Sequence, residues 1–250
     1  MSYQRLPYEQ YFIDNSEDFH HSGNARRKIQ YKAVPYHCSA LEERMGIHHE
    51  VNYEIFYEAD RDVIQINFQK TNGRSDWFAN IAEFSSRYYD AIDFEGKRLR
   101  LRVHHGWAEM YMTIKRDVRS EWHALHDAHP TAATEIMGWS LGSGQAILCA
   151  QDLNFNFGVK PYVYTFGSVK PFKYTLFNKK RMLKYLSGIC TECRNFAMYN
   201  DLVTYMPPFR GFCMLERWNL GDPKRTVAKL LDPNLYHTIY NQAEFYKDIP

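Results

Sequence analysis

The sequence predicts an α/β protein with a mainly parallel central sheet covered by helices on both faces. Two observations carry that expectation. Strand-like runs alternate with segments of helical periodicity over most of the chain, the order that builds a parallel sheet. Several of the strands, such as Thr134–Trp139 and Pro161–Phe166, are short apolar runs without polar alternation, as expected where both faces are covered. The 250 residues contain no internal repeat, low-complexity tract or linker, so one domain over 1–250 is expected. With 45% hydrophobic and 24% charged residues the composition is that of a globular protein.

Residues 1–35 are polar, aromatic and basic with little periodicity, and read as an irregular N-terminal arm. A helix is expected over 37–50, around Leu41 and Met45. Two strands follow, Val51–Glu58 and Asp62–Gln69; the second alternates, is rich in β-branched residues and stops at the turn signal Thr71-Asn72-Gly73. Trp77–Tyr89 is a mixed amphipathic stretch. Lys97–Val103 alternates basic and apolar side chains, as a strand with one wet face does. Ala108–His126 repeats apolar residues near helical spacing (Met110, Met112, Ile114, Val118, Trp122, Leu125), and His129-Pro130 ends that helix. Thr134–Trp139 is a buried strand and Gly142–Leu153 an apolar helix. Pro161–Phe166, Asn195–Tyr199 and Phe212–Trp218 are the remaining strands.

Charge and termini narrow the function classes. Thirty-one basic residues stand against 29 acidic ones, a net charge of +2, which gives no electrostatic case for nucleic acid. The N-terminus has neither a basic nor an apolar signal region, and no apolar run reaches about 18 residues, so neither a signal peptide nor a transmembrane helix is expected. With the odd count of five cysteines, this favours reduced thiols and a cytoplasmic setting.

The chemistry concentrates at Gly138-Trp139-Ser140-Leu141-Gly142, a G-x-S-x-G pentapeptide between an apolar strand and an apolar helix. That is the strand–turn–helix setting of a nucleophile elbow. The turn is tight, so Gly138 and Gly142 are read as positions where a side chain would collide with neighbouring elements. The serine would stand at a helix N-terminus, where partial positive charge favours an oxyanion. A serine hydroxyl needs a base, and the base needs an orienting carboxylate, in the chain order Ser, acid, His. Of eleven histidines only His237 follows Ser140. The acid is less constrained: Asp152, Glu192, Asp201, Glu216, Asp222 and Asp232 are available. Asp201 is favoured because it follows the strand-like NFAMY, at the carboxyl end where such loops gather.

Six ordered segments over roughly 64–240 extend the pattern: INFQKTNGRSDW at 66–77, VHHGW at 103–107, GWSLGSGQA at 138–146, YTFGSVK at 164–170, NDLVTYMPP at 200–208 and HTIY at 237–240. On these the chain resembles the class 3 lipases, a branch of the α/β-hydrolases that includes fungal triacylglycerol lipases and feruloyl esterases. The family pattern runs F-[RK]-G-[TS], D-W, V-H-x-G-F, G-H-S-L-G-G-A, T-F-G-x-P-R, D-x-V-P-x-x-P and H-x-x-Y. The resemblance implies Ser140 as nucleophile, Asp201 as orienting acid and His237 as base. It also implies an oxyanion hole from the backbone N–H groups of Thr71 and Leu141. The family's lid follows the first strand, which makes Asn72–Asn80 the lid candidate; its start, Asn72, Gly73, Arg74, Ser75, Asp76 and Trp77, is mostly polar and predicts little interfacial activation. Departures are Lys70 for the family's glycine, Trp139 for the elbow histidine, Ser143 for its second glycine, and Val169-Lys170 for Pro-Arg.

The expected function is a serine carboxylic-ester hydrolase acting on lipid or other acyl esters without metal or cofactor. A catalytically weak lipid-binding module on the same fold, or an acyltransferase, is the alternative. Other clusters are read as structural. His104-His105 would point to opposite faces of a strand. His123, His126 and His129 read as a solvated helix face. Cys190-Thr191-Glu192-Cys193 lacks the second pair of a zinc site and reads as two incidental thiols.

Overall fold

A computed structural model describes residues 3–16, 23–36, 49–69, 86–88, 101–175, 177–199, 201–207, 212–213, 216–221 and 240–250. The chain begins with helix α1 (Tyr8–Asn15) and strand β1 (Lys32–Tyr36), then the hairpin β2 (His49–Glu58) and β3 (Val63–Phe68). Short strands β4 (Ser86–Tyr88) and β5 (Arg102–His104) precede the long helix α2 (His105–Ala128). Then come β6 (Ala133–Trp139), α3 (Leu141–Phe157), β7 (Tyr162–Phe166), β8 (Phe172–Lys173), α4 (Lys179–Leu186), β9 (Glu192–Met198), β10 (Phe212–Cys213) and β11 (Arg217–Leu220).

Seven strands form the central sheet in the order β1-β2-β3-β6-β7-β9-β11. From β3 to β11 every pairing is parallel, and β1 and β2 extend the sheet antiparallel at one edge. All six residues of β3 are buried, which is why it reads without a wet face. A small antiparallel sheet, β10-β8-β5-β4, stands apart. The expected strand Phe212–Trp218 is therefore two strands in two sheets: β10 pairs with β8, while β11 pairs with β9. Only pairing partners decide such a split.

One face of the sheet carries the main core. Helix α2 buries Trp107, Met110, Tyr111, Ile114, Val118 and Trp122, one stripe at helical spacing, and ends at His129 ahead of Pro130. Helix α3 is buried nearly all round, lying between α2 and the sheet. The buried Asp152 ties the two helices, accepting from Tyr111 (3.0 Å), Arg119 Nε (2.9 Å) and Asn156 (2.7 Å) with Lys115 Nζ at 3.3 Å. A buried carboxylate is tolerable only with partners of this number and charge.

The N-terminal arm is not irregular throughout, a correction to the sequence expectation. Its residues 8–15 are helix α1, and 32–36 form the edge strand β1. Its aromatic side chains Tyr8, Tyr11 and Phe12 cover the second face against Met137, Trp139, Tyr164, Phe166 and Phe196. Beneath them the buried Glu135 accepts from Tyr3 (2.5 Å) and Tyr11 (2.6 Å) and pairs with Arg61. Burial and the Glu135 charge push the Tyr3 and Tyr11 phenols well above their ordinary range. The arm thus supplies the layer that a sheet apolar on both faces requires. Its helix escapes periodicity because it is short and its aromatics matter through contacts far along the chain. The helix expected over 37–50 falls mostly outside the described residues, but 49–50 already belong to β2.

His105 is not on a strand: it opens α2, while His104 ends β5, fully buried with its ring 4.0 Å from Trp107. Nor are the other helix histidines simply solvated. His126 stacks on Trp122 and His129 on Tyr57, while His123 meets Asp127 at 3.0 Å.

Candidate active site

The parallel strands β6, β7 and β9 end at one edge of the sheet, and the candidate residues gather there. Ser140 lies between β6 and α3 with φ 58° and ψ −125°, a strained backbone for a residue with a side chain. Its N–H donates to the Phe166 carbonyl of β7 at 2.9 Å, which holds the turn against the sheet. The glycines are required by contact. A Cβ at Gly142 would collide with the Phe68 carbonyl oxygen and lie 2.6 Å from that of Gln69. A Cβ at Gly138 would collide with the Gly142 carbonyl and lie 2.7 Å from Ser143 Cα. The two glycines let β6, α3 and the end of β3 approach to backbone contact, and that contact forces the elbow. Leu141 opens α3, whose first N–H groups lack partners within the helix and carry partial positive charge. Ser140 is 2% exposed, so its hydroxyl is shielded from bulk water.

Two departures from the family pattern meet here. The Ser143 hydroxyl donates to the carbonyl oxygen of Ser140 and accepts from the Val169 N–H at 3.1 Å. The pattern has glycine and proline at these two places, so neither the hydroxyl nor the N–H would exist. The replacements come as a pair that ties the elbow to the loop after β7. Trp139, in place of histidine, faces the other side of the sheet and packs edge-on against Phe12 of α1, ring centres 5.0 Å apart. It therefore serves the N-terminal arm.

Asp201 lies just past β9 and is fully buried. One carboxylate oxygen caps the following 3-10 turn, Leu202–Tyr205, by accepting from the Val203 N–H at 3.0 Å. The other accepts from the Tyr240 hydroxyl at 2.7 Å, and that hydroxyl accepts from the Met198 N–H at 2.9 Å. Tyr240 is thus wedged between the end of β9 and the carboxylate, and burial followed by the Asp201 charge raises its phenol well above the ordinary range. Arg217 of β11 fixes the same turn from the other side, donating to the Thr204 carbonyl (2.9 Å) and hydroxyl (3.0 Å). Neither tyrosine nor arginine was assigned a role from sequence. The H-x-x-Y segment was the one available signal for Tyr240; nothing marked Arg217.

The structure therefore brings Ser140, Leu141, Gly138, Gly142 and Asp201 to one edge. His237, Thr71, Lys70 and the lid candidates Asn72, Gly73, Arg74, Ser75, Asp76 and Trp77 lie outside the described residues. The other acids that are described sit elsewhere: Asp152 is locked between α2 and α3, Glu192 is at the opposite end of β9, and Glu216 precedes β11. Among the described residues no group of three His, Cys, Asp or Glu side chains is arranged to hold a metal, and no helix is long and apolar enough to cross a membrane. The Cys190 and Cys193 thiols are unbridged and adjacent; contact with Cys190 and burial push Cys193 well up. They line a cavity of about 630 Å³ with Lys170, Leu186, Cys213 and Arg217, beside the acid loop.

Comparison with known folds agrees with this geometry. The chain is similar to a Rhizomucor miehei lipase in complex with its propeptide (TM-score 0.59, 18% identity, 87% of this chain and 68% of that one). It is similar to lipase II from Rhizopus niveus (TM-score 0.61, 19% identity, 87% and 80% covered). A lipase from Rhizopus microsporus var. chinensis aligns with TM-score 0.57 at 18% identity over 82% of this chain and 70% of that one. At these identities the likeness establishes the α/β-hydrolase fold. No curated protein sequence matches. The family model "Lipase (class 3)" matches residues 65–211, a span running from β3 past the elbow to the acid loop, and the chain accordingly belongs to the class 3 lipase family of α/β-hydrolases.

Proposed function

We propose that this chain is a serine carboxylic-ester hydrolase that cleaves lipid acyl esters through an acyl-enzyme, with Ser140 as nucleophile, His237 as base and Asp201 as orienting acid. The observation that carries the reading is the pairing of a strained, glycine-flanked Ser140 at the head of α3 with a buried, hydrogen-bonded Asp201 at the same edge. Chain connectivity adds support. His237 is three residues before Tyr240 in the sequence, and the Tyr240 hydroxyl holds Asp201.

In this mechanism the Ser140 hydroxyl attacks the acyl carbonyl as His237 takes its proton, and Asp201 holds the imidazole's tautomer and its positive charge. Negative charge on the carbonyl oxygen is met by the Leu141 N–H at the start of α3 and by the Thr71 N–H. The protonated His237 passes its proton to the departing alcohol. A water activated by the same histidine then releases the acid and restores Ser140. No metal or cofactor enters a step. The family and the fold support a lipid ester, and the similar solved structures are lipases.

The test is turnover of p-nitrophenyl butyrate, octanoate and palmitate by wild type, Ser140→Ala and His237→Ala. Each substitution should lower kcat by at least about 10⁴-fold. The trend over chain length then separates an esterase from a lipase. Wild-type turnover no faster than that of Ser140→Ala, together with no labelling by a fluorophosphonate, would show that Ser140 is not an activated nucleophile.

A further inference from the structure

Between Asp152 and Glu192 the sequence carries Lys160, Lys170, Lys173, Lys179, Lys180, Arg181 and Lys184 and no acidic residue. The net charge of the whole chain is only +2, so the remainder is net negative and this stretch is a concentrated basic region. Four of the cations lie on the two turns of α4. Lys179, Lys180, Arg181 and Lys184 are all exposed, and none of the four has an ion-pair partner among the described residues. Apolar side chains stand among them. Phe177, two residues before the helix, is 100% exposed, and Leu183 is 37% exposed, while Met182 and Leu186 anchor the opposite side of α4 in the core.

The placement of this face follows from topology. The chain leaves β7 beside Ser140, passes β8 and enters β9 at its far end, so α4 runs back from the Ser140 edge of the sheet. Its first turn, with Phe177 ahead of it, is therefore nearer that edge. Leu202 and Tyr205, exposed on the turn after Asp201, lie at the same edge.

We propose that α4, headed by Phe177, docks the protein on an anionic phospholipid bilayer. Headgroup phosphates and carboxylates face Lys179, Lys180, Arg181 and Lys184, and Phe177 and Leu183 enter the boundary between headgroups and acyl chains. Cations interleaved with exposed apolar side chains match a surface that offers both negative charge and a hydrocarbon layer. An acidic protein surface would satisfy the charge but leave a fully exposed phenylalanine without a purpose. Docking by this face would bring the Ser140 edge toward acyl esters in the bilayer. That consequence rests on the hydrolase reading above; the binding itself does not.

The experiment is sedimentation of the full chain, as Ser140→Ala so that no lipid is consumed, with phosphatidylcholine vesicles and with vesicles that also contain phosphatidylserine. Binding should need phosphatidylserine and weaken with added salt. Each cation near such a surface is worth on the order of fivefold in affinity. Reversing all four (K179E/K180E/R181E/K184E) should weaken binding by at least about tenfold, and Phe177→Ala alone by several-fold. Both variants, in the Ser140 background, should keep the wild-type melting temperature and turnover of soluble p-nitrophenyl butyrate. Since the quadruple change is large, the milder Lys180→Gln/Lys184→Gln pair should show a smaller loss in the same direction. Equal binding to both vesicles, or unchanged binding after charge reversal, overturns the proposal. Charge-dependent binding that ignores Phe177 also overturns it, because the protein would then adsorb by charge alone without entering the acyl boundary. Failure of the fluorophosphonate to label Ser140 would instead sink the hydrolase reading and leave the vesicle result standing.

Discussion

Replacing Tyr240 by phenylalanine deletes a single oxygen that joins two groups of different consequence. The hydroxyl donates to the buried Asp201 carboxylate at 2.7 Å and accepts from the Met198 N–H at 2.9 Å. A hydrogen bond to a charged group contributes about 1.5–3 kcal/mol, and a buried N–H left without an acceptor costs about 1–3 kcal/mol. The fold should therefore lose roughly 2.5–6 kcal/mol, read as a drop in the denaturant midpoint with unchanged slope. If Asp201 orients the base, the carboxylate contribution also reaches the transition state. Losing about 1.5–3 kcal/mol there lowers kcat by roughly 10- to 150-fold, with KM little changed. The limb of the pH–rate profile that reports the base should also move, because the carboxylate that holds the imidazolium has lost a fixed partner. The assay is kcat, KM and the pH profile on a soluble ester, beside the stability measurement. Reduced stability with wild-type kcat and an unmoved pH profile would refute the assignment of Asp201, since Tyr240 would then be only a packing residue.

Two further outcomes follow from the same contacts. Gly142→Ala should destabilise the fold by several kcal/mol or prevent expression, because its Cβ would meet backbone carbonyls of Phe68 and Gln69 that cannot move without breaking β3 from β6; a melting temperature near wild type would contradict that packing. The protein should lose stability above about pH 10. Tyr3, Tyr11, Tyr164 and Tyr240 are all raised by burial, so unfolded tyrosines ionise near pH 10 while the folded ones stay protonated. Their stabilisation is complete below that pH and falls as pH rises, by about 1.4 kcal/mol per unit for each tyrosine. Circular dichroism against pH checks this.

The sequence by itself determined the elements whose signals are local. The elbow is legible because its requirement is steric and short in range: two glycines around a serine, between an apolar strand and an apolar helix. Helix α2 is legible because its buried stripe repeats along one segment, and β3, β6 and β7 because strands covered on both faces lose their polar alternation. The class of the protein followed from the order of such segments. Tertiary structure decided whatever depends on a partner far along the chain. Helix α1 is held by aromatic contacts to β6, β7 and β9 more than 100 residues away, so its own periodicity is weak. The stretch Phe212–Trp218 divides because its two ends find different neighbours. Ser143 and Val169 looked like unrelated departures until one hydrogen bond joined them. Asp201 was one of six available acids. Its burial, and its bond to the hydroxyl of Tyr240 brought back from the C-terminal region, are tertiary facts, because a buried carboxylate needs partners that only the folded chain can assemble.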